Sequence, residues 1–588
     1  SDVYKRQAPL RSLGLKWNVG LRTADTSAST RARQKARLPT VLVTTPESLS
    51  LLLTDPTAAE KFGGLRCVVC DEWHELLGSK RGVLTELALA RVCTFAPRVR
   101  VWGLSATLGN LDTALAALAG AGRPGRVIRG EVPKPVVVDA IVPTQVERFP
   151  WAGHLGLSLV PQVVDAVEEG RTALVFTNTR SQCETWYQAL LAARPDWAGA
   201  IALHHGSLDR KVRAWVEDGI RDGTLRCVVA TSTLDLGVDF APVDRVIQVG
   251  SPKGVGRLLQ RAGRSRHRPG ETSRVTCAPT HAFELLEIAA ARTAAQAGTV
   301  EARPPIEKPL DVLAQHAVSS ALSGGFRSDG LLSEVRTTHA YRDLSDEEWE
   351  WVLDFVTRGG EALRAYPDYR RVVENDGLYT VPDGRIARLH RQAIGTITSD
   401  SAIAVRFLRG GRLGTVEESF AARLKKGDRF AFAGRVLEFV RLHEMTAWVK
   451  LSKREPTTRP RWAGGRLPLS GELSAAVRAK LDAASRNEAQ DPEVIALSPV
   501  LETQARWSRV PAQTEVLMER LETRDGHHAF VYPFEGRLVH EGLVAILAYR
   551  LSRRRPQTFA LAVNDYGFEL VSPDPIELDA DSLKDLLS

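Results

Sequence analysis

Two adjacent carboxylates, Asp71 and Glu72, stand directly behind the apolar run "LRCVVC", with Trp73 and His74 after them. An acid pair at the C-terminal end of a parallel strand lies where open α/β sheets bind their ligands. One carboxylate there can hold a divalent cation on a phosphate chain. Its neighbour can orient and deprotonate a water that attacks phosphorus. Asp71 suits the first role and Glu72 the second. An Asp-Glu dipeptide alone is better explained as a solvated strand end, so the weight falls on the ordered segments downstream of it.

"SAT" (Ser105, Ala106, Thr107) closes another apolar run, where small hydroxyls can relay hydrogen bonds between sites. "TSTLDLGVDF" (231–240) sets Gly237 and Asp239 just past a strand, a place for contacts to ribose or to a nucleic-acid backbone. "QRAGRSRH" (260–267) supplies Gln260, Arg261 and Arg264, the two arginines expected on one helical face. Guanidinium groups presented across a cleft stabilise the charge that develops on a transferred phosphoryl group. Each segment is weak singly; the ordered set is specific.

Positioning these residues takes strands whose C-terminal ends share an edge. Short Val/Leu-rich runs alternate with amphipathic segments, as in parallel sheets with crossover helices. The expected strands are 40–45, 65–71 and 99–106, with a helix over 82–95. A Gly/Pro-rich linker covers 120–135, and the alternation restarts with strands at 172–178, 199–206, 225–232 and 243–250. This pattern implies two α/β units in tandem. After "EARPPIEKP" (301–309) the texture becomes helical, with Ser345 and Glu348 spaced as a capping box before a helix that ends at Gly359-Gly360. These helices and "GLYTVPDGRIA" fit a winged-helix module, and from about 385 strand-like runs, turns and further helices make an α+β region.

The length of 588 residues allows about three to five domains. No apolar run reaches the roughly 18 residues of a membrane-spanning helix, and no signal-peptide pattern opens the chain. Six scattered cysteines fit a reducing, cytoplasmic setting better than a disulfide framework. Net charge is +8, and its distribution says more: residues 401–470 hold 15 Arg/Lys against 6 Asp/Glu. A second island, 251–270, has six basic residues and no acidic one. Both point to phosphate contacts.

The motif order resembles superfamily 2 helicases of the DEAD/DEAH-box type, with "DEWH" as motif II, "SAT" as motif III, "LVFTNTRSQ" as motif IV, then motifs V and VI. "DEWHELLGSKRG", "TTPESLSLLL", "ERFPWAGHLGL", "GSPKGVGRLLQRAGR", "RWAGGRLPLS" and "YPFEGRLVHEGL" narrow the resemblance to the large-helicase-related family, specifically its ligase-associated DEXH-box branch. It covers nearly the whole chain. The resemblance implies an α/β fold of two RecA-like domains (1–127, incomplete, and 128–298), a winged helix (299–384) and a family-specific nucleic-acid-binding domain (385–588). It implies ATP and Mg²⁺, with Asp71 as metal ligand, Glu72 as catalytic acid/base, His74 coupling nucleotide state to motifs III and VI, and Arg264 as arginine finger beside Arg261. Thr44, Thr45, Ser105, Thr107, Thr177 and Thr231 become nucleic-acid contacts. Ile397 resembles a wedge position, and Trp462, flanked by Arg459 and Arg461, can stack on a base while the guanidinium groups hold phosphates. The implied activity is 3′-to-5′ translocation on single-stranded DNA and unwinding of DNA or DNA/RNA duplexes with a single-stranded tail, in DNA repair, with a DNA ligase and a nuclease as functional partners and no membrane.

The pattern also breaks. No G-x-x-x-x-G-K-[ST] phosphate loop occurs in the 588 residues, and in the family it lies upstream of the segment that begins here at residue 8. The first motor domain is therefore expected to start early, to hydrolyse ATP poorly by itself, and to expose sheet edges and apolar surface. The stop at "LKDLLS" is likewise expected to fall short of the family's usual end. Arg266 stands where motif VI usually has Gly, and Ala24 where Gly is usual. A second function class, a non-catalytic nucleic-acid clamp, shares all the binding features and differs only in lacking turnover. A zinc site at Cys67-x-x-Cys70 is disfavoured because residues three apart on a strand face opposite ways. A nuclease built on His527, His528 and His540 lacks a carboxylate cluster.

Overall fold

The structure is a computed structural model. It describes residues 10, 12–23, 26–106, 108–130, 135–143, 156–235, 243–266, 271–360, 370–394, 402–408, 410–458 and 467–587. The chain forms two compact units, one from 1–130 with 302–398 and the other from 131–301 with 399–588.

In the first unit, strands β1 (Val19–Arg22) and β2 (Val41–Thr44) pair in parallel, as do β3 (Cys67–Cys70) and β4 (Arg100–Gly103). The three expected strands are present and slightly shorter, as β2, β3 and β4; with β1, which sequence patterning does not predict, they form two separate parallel pairs, not one sheet. Val69, Trp102 and Leu104 are 52%, 59% and 49% exposed, so the β3–β4 pair carries a bare apolar face. Cys67 is exposed and Cys70 buried, in keeping with opposite faces of one strand. The helix Lys80–Phe95 buries Val83, Leu84 and Leu87 against Leu313, Val335 and Tyr341, giving motor and winged-helix segments one shared core.

That winged-helix segment has helices Leu310–Leu322, Ser328–Arg336 and Asp346–Arg358. The last opens with the expected capping box at Ser345 and Glu348 and closes on Gly359 in the left-handed region. A hairpin joins β12 (Val373–Asn375) to β13 (Leu378–Thr380), with β11 (Phe326–Arg327) alongside. Asp376 and Gly377, both at positive φ, make its two-residue turn, as an Asp-Gly pair should.

In the second unit, β5 (Val136–Ala140), β6 (Ala173–Phe176), β7 (Ile201–His204), β8 (Cys227–Ala230), β9 (Arg245–Val249) and β10 (Ser273–Ala278) form one parallel sheet in the order β5-β10-β9-β6-β8-β7. Strands β6 to β9 are buried on both faces, which is why they read as unbroken apolar runs. Sequence patterning does not predict β5 and β10. β10, "SRVTCA", interleaves Ser273, Arg274 and Thr276 with its apolar residues, and β5 comes directly after the Gly/Pro-rich stretch read as linker.

The same unit holds a five-stranded sheet, from β14 (Ala402–Phe407), β15 (Arg412–Glu417), β16 (Arg429–Phe432), β17 (Arg435–His443) and β18 (Thr446–Leu451). Val405, Phe430, Leu437 and Val449 fill its core, while Arg406, Arg412, Lys425, Lys426, Arg441 and Lys450 are exposed. The basic excess of this region therefore lies on its outside. A four-stranded antiparallel sheet, β19 (Leu517–Thr523), β20 (Gly526–Tyr532), β21 (Ala560–Val563) and β22 (Phe568–Ser572), packs on the helix Arg537–Arg554.

Glu86, in the Lys80–Phe95 helix, is 3% exposed and accepts the Ala340 N–H at 2.9 Å. Burial pushes its carboxyl up to about 7 from 4.5, against the backbone N–H groups of Ala340 and His339 and the Arg342 charge. A folded-state value above the unfolded one gives a contribution to stability that is full below about pH 4.5 and is lost as pH rises through about 7. At 1.36 kcal/mol per pH unit the loss is about 3 kcal/mol. Glu86→Gln keeps an acceptor for Ala340 and removes the titration. Urea unfolding should show the variant close to wild type near pH 4.5 and more stable by up to about 3 kcal/mol at pH 8.

Candidate functional site

β3 and β4 are in parallel register with Cys70 opposite Gly103, so Asp71–Glu72 and Leu104–Ser105 emerge at the same edge. Leu104 donates its N–H to the Cys70 carbonyl and accepts the Trp73 N–H, both at 2.9 Å. Glu72 makes the corner in the left-handed region (φ 50°, ψ 45°), turning the chain from β3 straight into the helix Trp73–Leu77. Such a conformation at a non-glycine residue costs about 1–3 kcal/mol and persists only where surrounding contacts fix it. The Trp73 indole does so by donating to the Ala114 carbonyl at 2.9 Å from a buried position.

His74, 1% exposed, accepts the Ala106 N–H on Nδ1 at 3.3 Å, which places its own proton on Nε2, 3.5 Å from Glu75. Burial lowers its pKa, with Glu75 pulling the other way, so the ring is a neutral connector. Glu72 Oε2 lies 3.6 Å from the same Nδ1. Asp71 is exposed; its Oδ1 takes the Glu72 N–H at 3.1 Å, and no Lys or Arg among the described residues is ion-paired with it. A solvent-facing carboxylate of this kind is a suitable oxygen donor for Mg²⁺. Ser105 is exposed, with its hydroxyl turned to the Ala106 carbonyl.

Thr44 and Thr45 lie at the end of β2. The Thr44 hydroxyl donates to the Arg22 carbonyl at 2.9 Å, and Thr45 caps the helix Pro46–Leu53 through the Ser48 N–H.

In the second unit, the helix Val255–Ala262 stops at Gly263, so Arg264 sits in the turn beyond it and does not share a helical face with Arg261. Arg261 is wholly buried. Its Nε and Nη2 clamp Asp235 at 2.9 and 3.1 Å, its Nη1 donates to Gln248 on β9, and its guanidinium lies 4.7 Å from the Phe176 ring centroid. The expectation that Arg261 takes part in catalysis is therefore corrected: its donors are committed inward, holding helix to sheet. Arg264 and Gln260 are half-buried.

Thr177 is also corrected. It is fully buried, and its hydroxyl is directed at the Thr179 and Ala230 carbonyls, so it is not offered to a nucleic-acid strand. Thr231, 8% exposed, comes just after β8 with its N–H on the His204 carbonyl. Thr107, Gly237, Asp239, Ile397 and Trp462 lie outside the described residues.

Sequence reasoning missed what holds the arginine segment. Glu301 accepts the N–H groups of Val255 and Gly256 at 2.5 and 2.7 Å, satisfying the helix's orphan donors, and takes the Ser470 hydroxyl at 2.8 Å. A Cβ on Gly254 or Gly256 would meet the Glu301 carboxylate at 3.0 Å, so "GVG" was the available signal. Beside it Lys253, at φ 63°, reaches Glu287 at 3.1 Å and Asp565 at 3.0 Å. Burial alone would lower its pKa; Glu287, Glu284 and Asp565 raise it and keep the ammonium charged.

Sequence models of four known families match along the chain: DEAD/DEAH box helicase over 3–114, helicase conserved C-terminal domain over 157–269, the large helicase-related protein winged helix domain over 293–459, and DEAD/H associated over 510–588. ATP-dependent helicase Lhr-Core of Methanothermobacter thermautotrophicus is 31% identical over 602 residues, spanning 96% of this chain and 70% of that protein. Lhr-Core protein 2 of Thermococcus barophilus is 30% identical over 592 residues, with 97% and 68% covered. The chain belongs to the Lhr-Core family of ATP-dependent helicases. It covers 66% of the Lhr-Core protein of Methanocaldococcus jannaschii. Among solved structures, the Lhr helicase of Mycobacterium smegmatis bound to single-stranded DNA and AMP-PNP superposes with a TM-score of 0.77 at 26% identity, over 100% of this chain and 75% of that one. The helicase MrfA bound to DNA and AMPPNP shares the fold, with a TM-score of 0.62 at 14% identity. No helix among the described residues is long and apolar enough to cross a membrane.

Removing Arg261 strips the buried Asp235 carboxylate of its two close guanidinium bonds and leaves Arg257, 3.9 Å away, as its ion-pair partner, which costs about 2–3 kcal/mol. Arg261→Ala should lower the unfolding free energy by that much, read from lower thermal and urea midpoints. Arg261→Lys should fall well short of rescue, because one ammonium cannot reproduce the fork onto Asp235 and Gln248. Arg264→Ala should cost much less, about 1 kcal/mol.

Proposed function

We propose that this chain supplies the motor and strand-binding parts of an ATP-driven translocase that moves 3′-to-5′ on single-stranded DNA and opens duplexes during DNA repair. The observation that carries this reading is the hydrogen bond from Ala106 to His74, which ties the acid pair to the hydroxyl segment at one sheet edge. In this reading Glu72 orients and deprotonates the attacking water. Asp71 holds the Mg²⁺, which when bound neutralises phosphate charge. Arg264 acts as the arginine finger, with Gln260 beside it, and Arg261 keeps its helix in place. His74 relays nucleotide state to Ser105–Ala106. Gly237 and Asp239 are assigned to nucleotide or strand contacts.

Thr44, Thr45, Ser105, Thr107 and Thr231 are assigned to the strand's phosphates, Trp462 to base stacking and Ile397 to a wedge. The exposed basic side chains of the β14–β18 sheet, Arg406, Arg412, Arg441 and Lys450 among them, support a phosphate-tracking surface on that sheet. The motifs shared with the ligase-associated branch support functional partnership with a DNA ligase and a nuclease. A domain division at about 127, 298 and 384 is part of the same reading.

The residues present include no Gly-Lys-Thr or Gly-Lys-Ser loop, so turnover by them alone should be slow. The test measures ATP turnover with and without oligo(dT), on these 588 residues and on the same chain extended by the strand, phosphate loop and helix of an archaeal relative. The extended chain should show DNA-stimulated turnover, reduced about 100-fold or more by Glu72→Gln. Turnover indifferent to DNA or to Glu72→Gln would sink the motor assignment. DNA binding with no turnover in the extended chain would leave a nucleic-acid clamp.

A further inference from the structure

β7 is an edge strand of the parallel sheet, paired only with β8. The carbonyls of Ala200 and His204 accept N–H groups from the β8 side, at Arg226, Cys227 and Thr231. Strand residues alternate in direction, so the N–H and C=O of Ile201 and Leu203 point away from β8, toward the open edge. Among the described residues no backbone group pairs with them there.

A groove of about 490 Å³ runs along that edge. Its lining fixes its position. It includes three consecutive residues, Ile201 to Leu203, together with Tyr187 from the helix Arg180–Ala193 and Val212 and Trp215 from the helix Arg210–Arg221. The first of those helices links β6 to β7 and the second links β7 back to β8, so right-handed crossovers place them on opposite faces of the sheet. A space bounded by both helices and by β7 must lie at the free edge. The turn Ala433-Gly434 and Arg435 form its far wall.

That wall is held firmly. Buried Glu184 accepts the Ala433 and Gly434 N–H groups at 2.5 and 3.0 Å and pairs with buried His205 at 3.2 Å. The groove is therefore built, not a gap between loosely placed parts.

The helix Arg210–Arg221 presents Val212, Trp215, Val216 and Ile220 along one apolar stripe. Val216 and Ile220 are buried, whereas Val212 is 38% and Trp215 56% exposed, so the stripe runs out of the core into the groove. The two charged side chains lining it, Lys211 and Arg435, are both cationic, and no carboxylate lines it.

We propose that this edge is a docking site for an extended peptide segment of a partner protein, carrying apolar residues at alternate positions and acidic residues at its flank. Such a strand takes the free N–H and C=O groups of Ile201 and Leu203, seats its apolar residues on Trp215 and Val212, and meets Lys211 and Arg435 with carboxylates. A nucleic-acid strand fits this lining less well. It would leave the alternating acceptors of β7 unused, and the walls are apolar.

The test pans a random-peptide phage library on the full chain, counter-selects on Trp215→Glu, and measures the labelled winners by fluorescence anisotropy. The expected winners alternate apolar residues beside acidic ones and bind about tenfold or more weakly to both Trp215→Glu and Lys211→Glu. N-methylation of every second peptide amide should abolish binding in one phase and spare it in the other. This control reads strand pairing even if a protein variant fails to fold. No enrichment over the counter-selection, or methylation sensitivity without alternation, overturns the proposal. So does displacement of the winners by oligo(dT), which would make the groove part of the nucleic-acid path. Trp215-dependent self-association in sedimentation would assign the edge to a second copy and overturn it equally.

Discussion

The helix that carries the motif VI arginines has no free end. At its N-terminus the Val255 and Gly256 amides are held by Glu301, and near its C-terminus Arg261 is forked onto Asp235 beneath the sheet. Orphan helix donors and a buried guanidinium are both expensive unless satisfied, so the two ends stabilise one placement of the segment leading to Arg264. Glu301 also takes the Ser470 hydroxyl, and Ser470 itself caps the helix Gly471–Ser485. Lys253, just before the arginine helix, reaches across to Asp565 in the C-terminal region, while the Tyr566 hydroxyl bonds Glu287, the same carboxylate that Lys253 holds. The last module of the chain is thus anchored on the residues that set the arginines.

A second anchorage ties the β14–β18 sheet to the same motor domain. Leu413 accepts the Asp209 N–H at 3.0 Å, and Thr415 donates to the Ser207 carbonyl at 2.9 Å. Between them Gly414 lies so close to Ser207 and Phe432 that no side chain would fit. Glu184 then fixes the 433–434 turn. The first unit repeats the arrangement with other residues: Glu86 bonds Ala340, Arg91 pairs with Glu334 at 3.2 Å, and Asn110 exchanges two hydrogen bonds with Arg303. Each motor half therefore carries an accessory module through buried polar contacts. Their energetic weight lies mostly in the penalty for leaving one partner alone.

Legibility in the sequence depends on how local each feature is. The helix Asp346–Arg358, with its Ser345 capping box and its stop at Gly359, was readable because caps act within a few residues. The placement of the acid pair and "SAT" was readable because each follows an apolar run, and those runs pair as β3 and β4 with their C-terminal ends at one edge. The inward turn of Arg261 was not, since Asp235 and Gln248 reach it only once β8 and β9 have taken their places in the sheet. The same holds for Thr177, whose hydroxyl is taken up by a carbonyl at the end of β8. β10 escaped because a strand buried on both faces can still hold Ser273 and Thr276 when its position between β5 and β9 is set by tertiary pairing. Glu301 carried no role in the sequence, standing only at the head of the Pro-rich stretch before the helical region, although the glycines flanking Val255 left the space it fills.

Glu72 shows what this reliance on distant contacts does for chemistry. Its left-handed backbone points the chain away from β3 at the very residue assigned to water activation, and nothing in its own type favours that conformation. What maintains it is the bracket formed by Leu104 on both sides, reaching Cys70 before it and Trp73 after it, with the indole pinned to Ala114. Ala106, two residues beyond Leu104, is bonded to His74, two residues beyond Glu72. A shift of the Ser105–Ala106 segment cannot occur without pulling on the helix turn just after Glu72. The acid and the hydroxyl segment therefore share one hydrogen-bonded corner, set by Leu104 and His74 together.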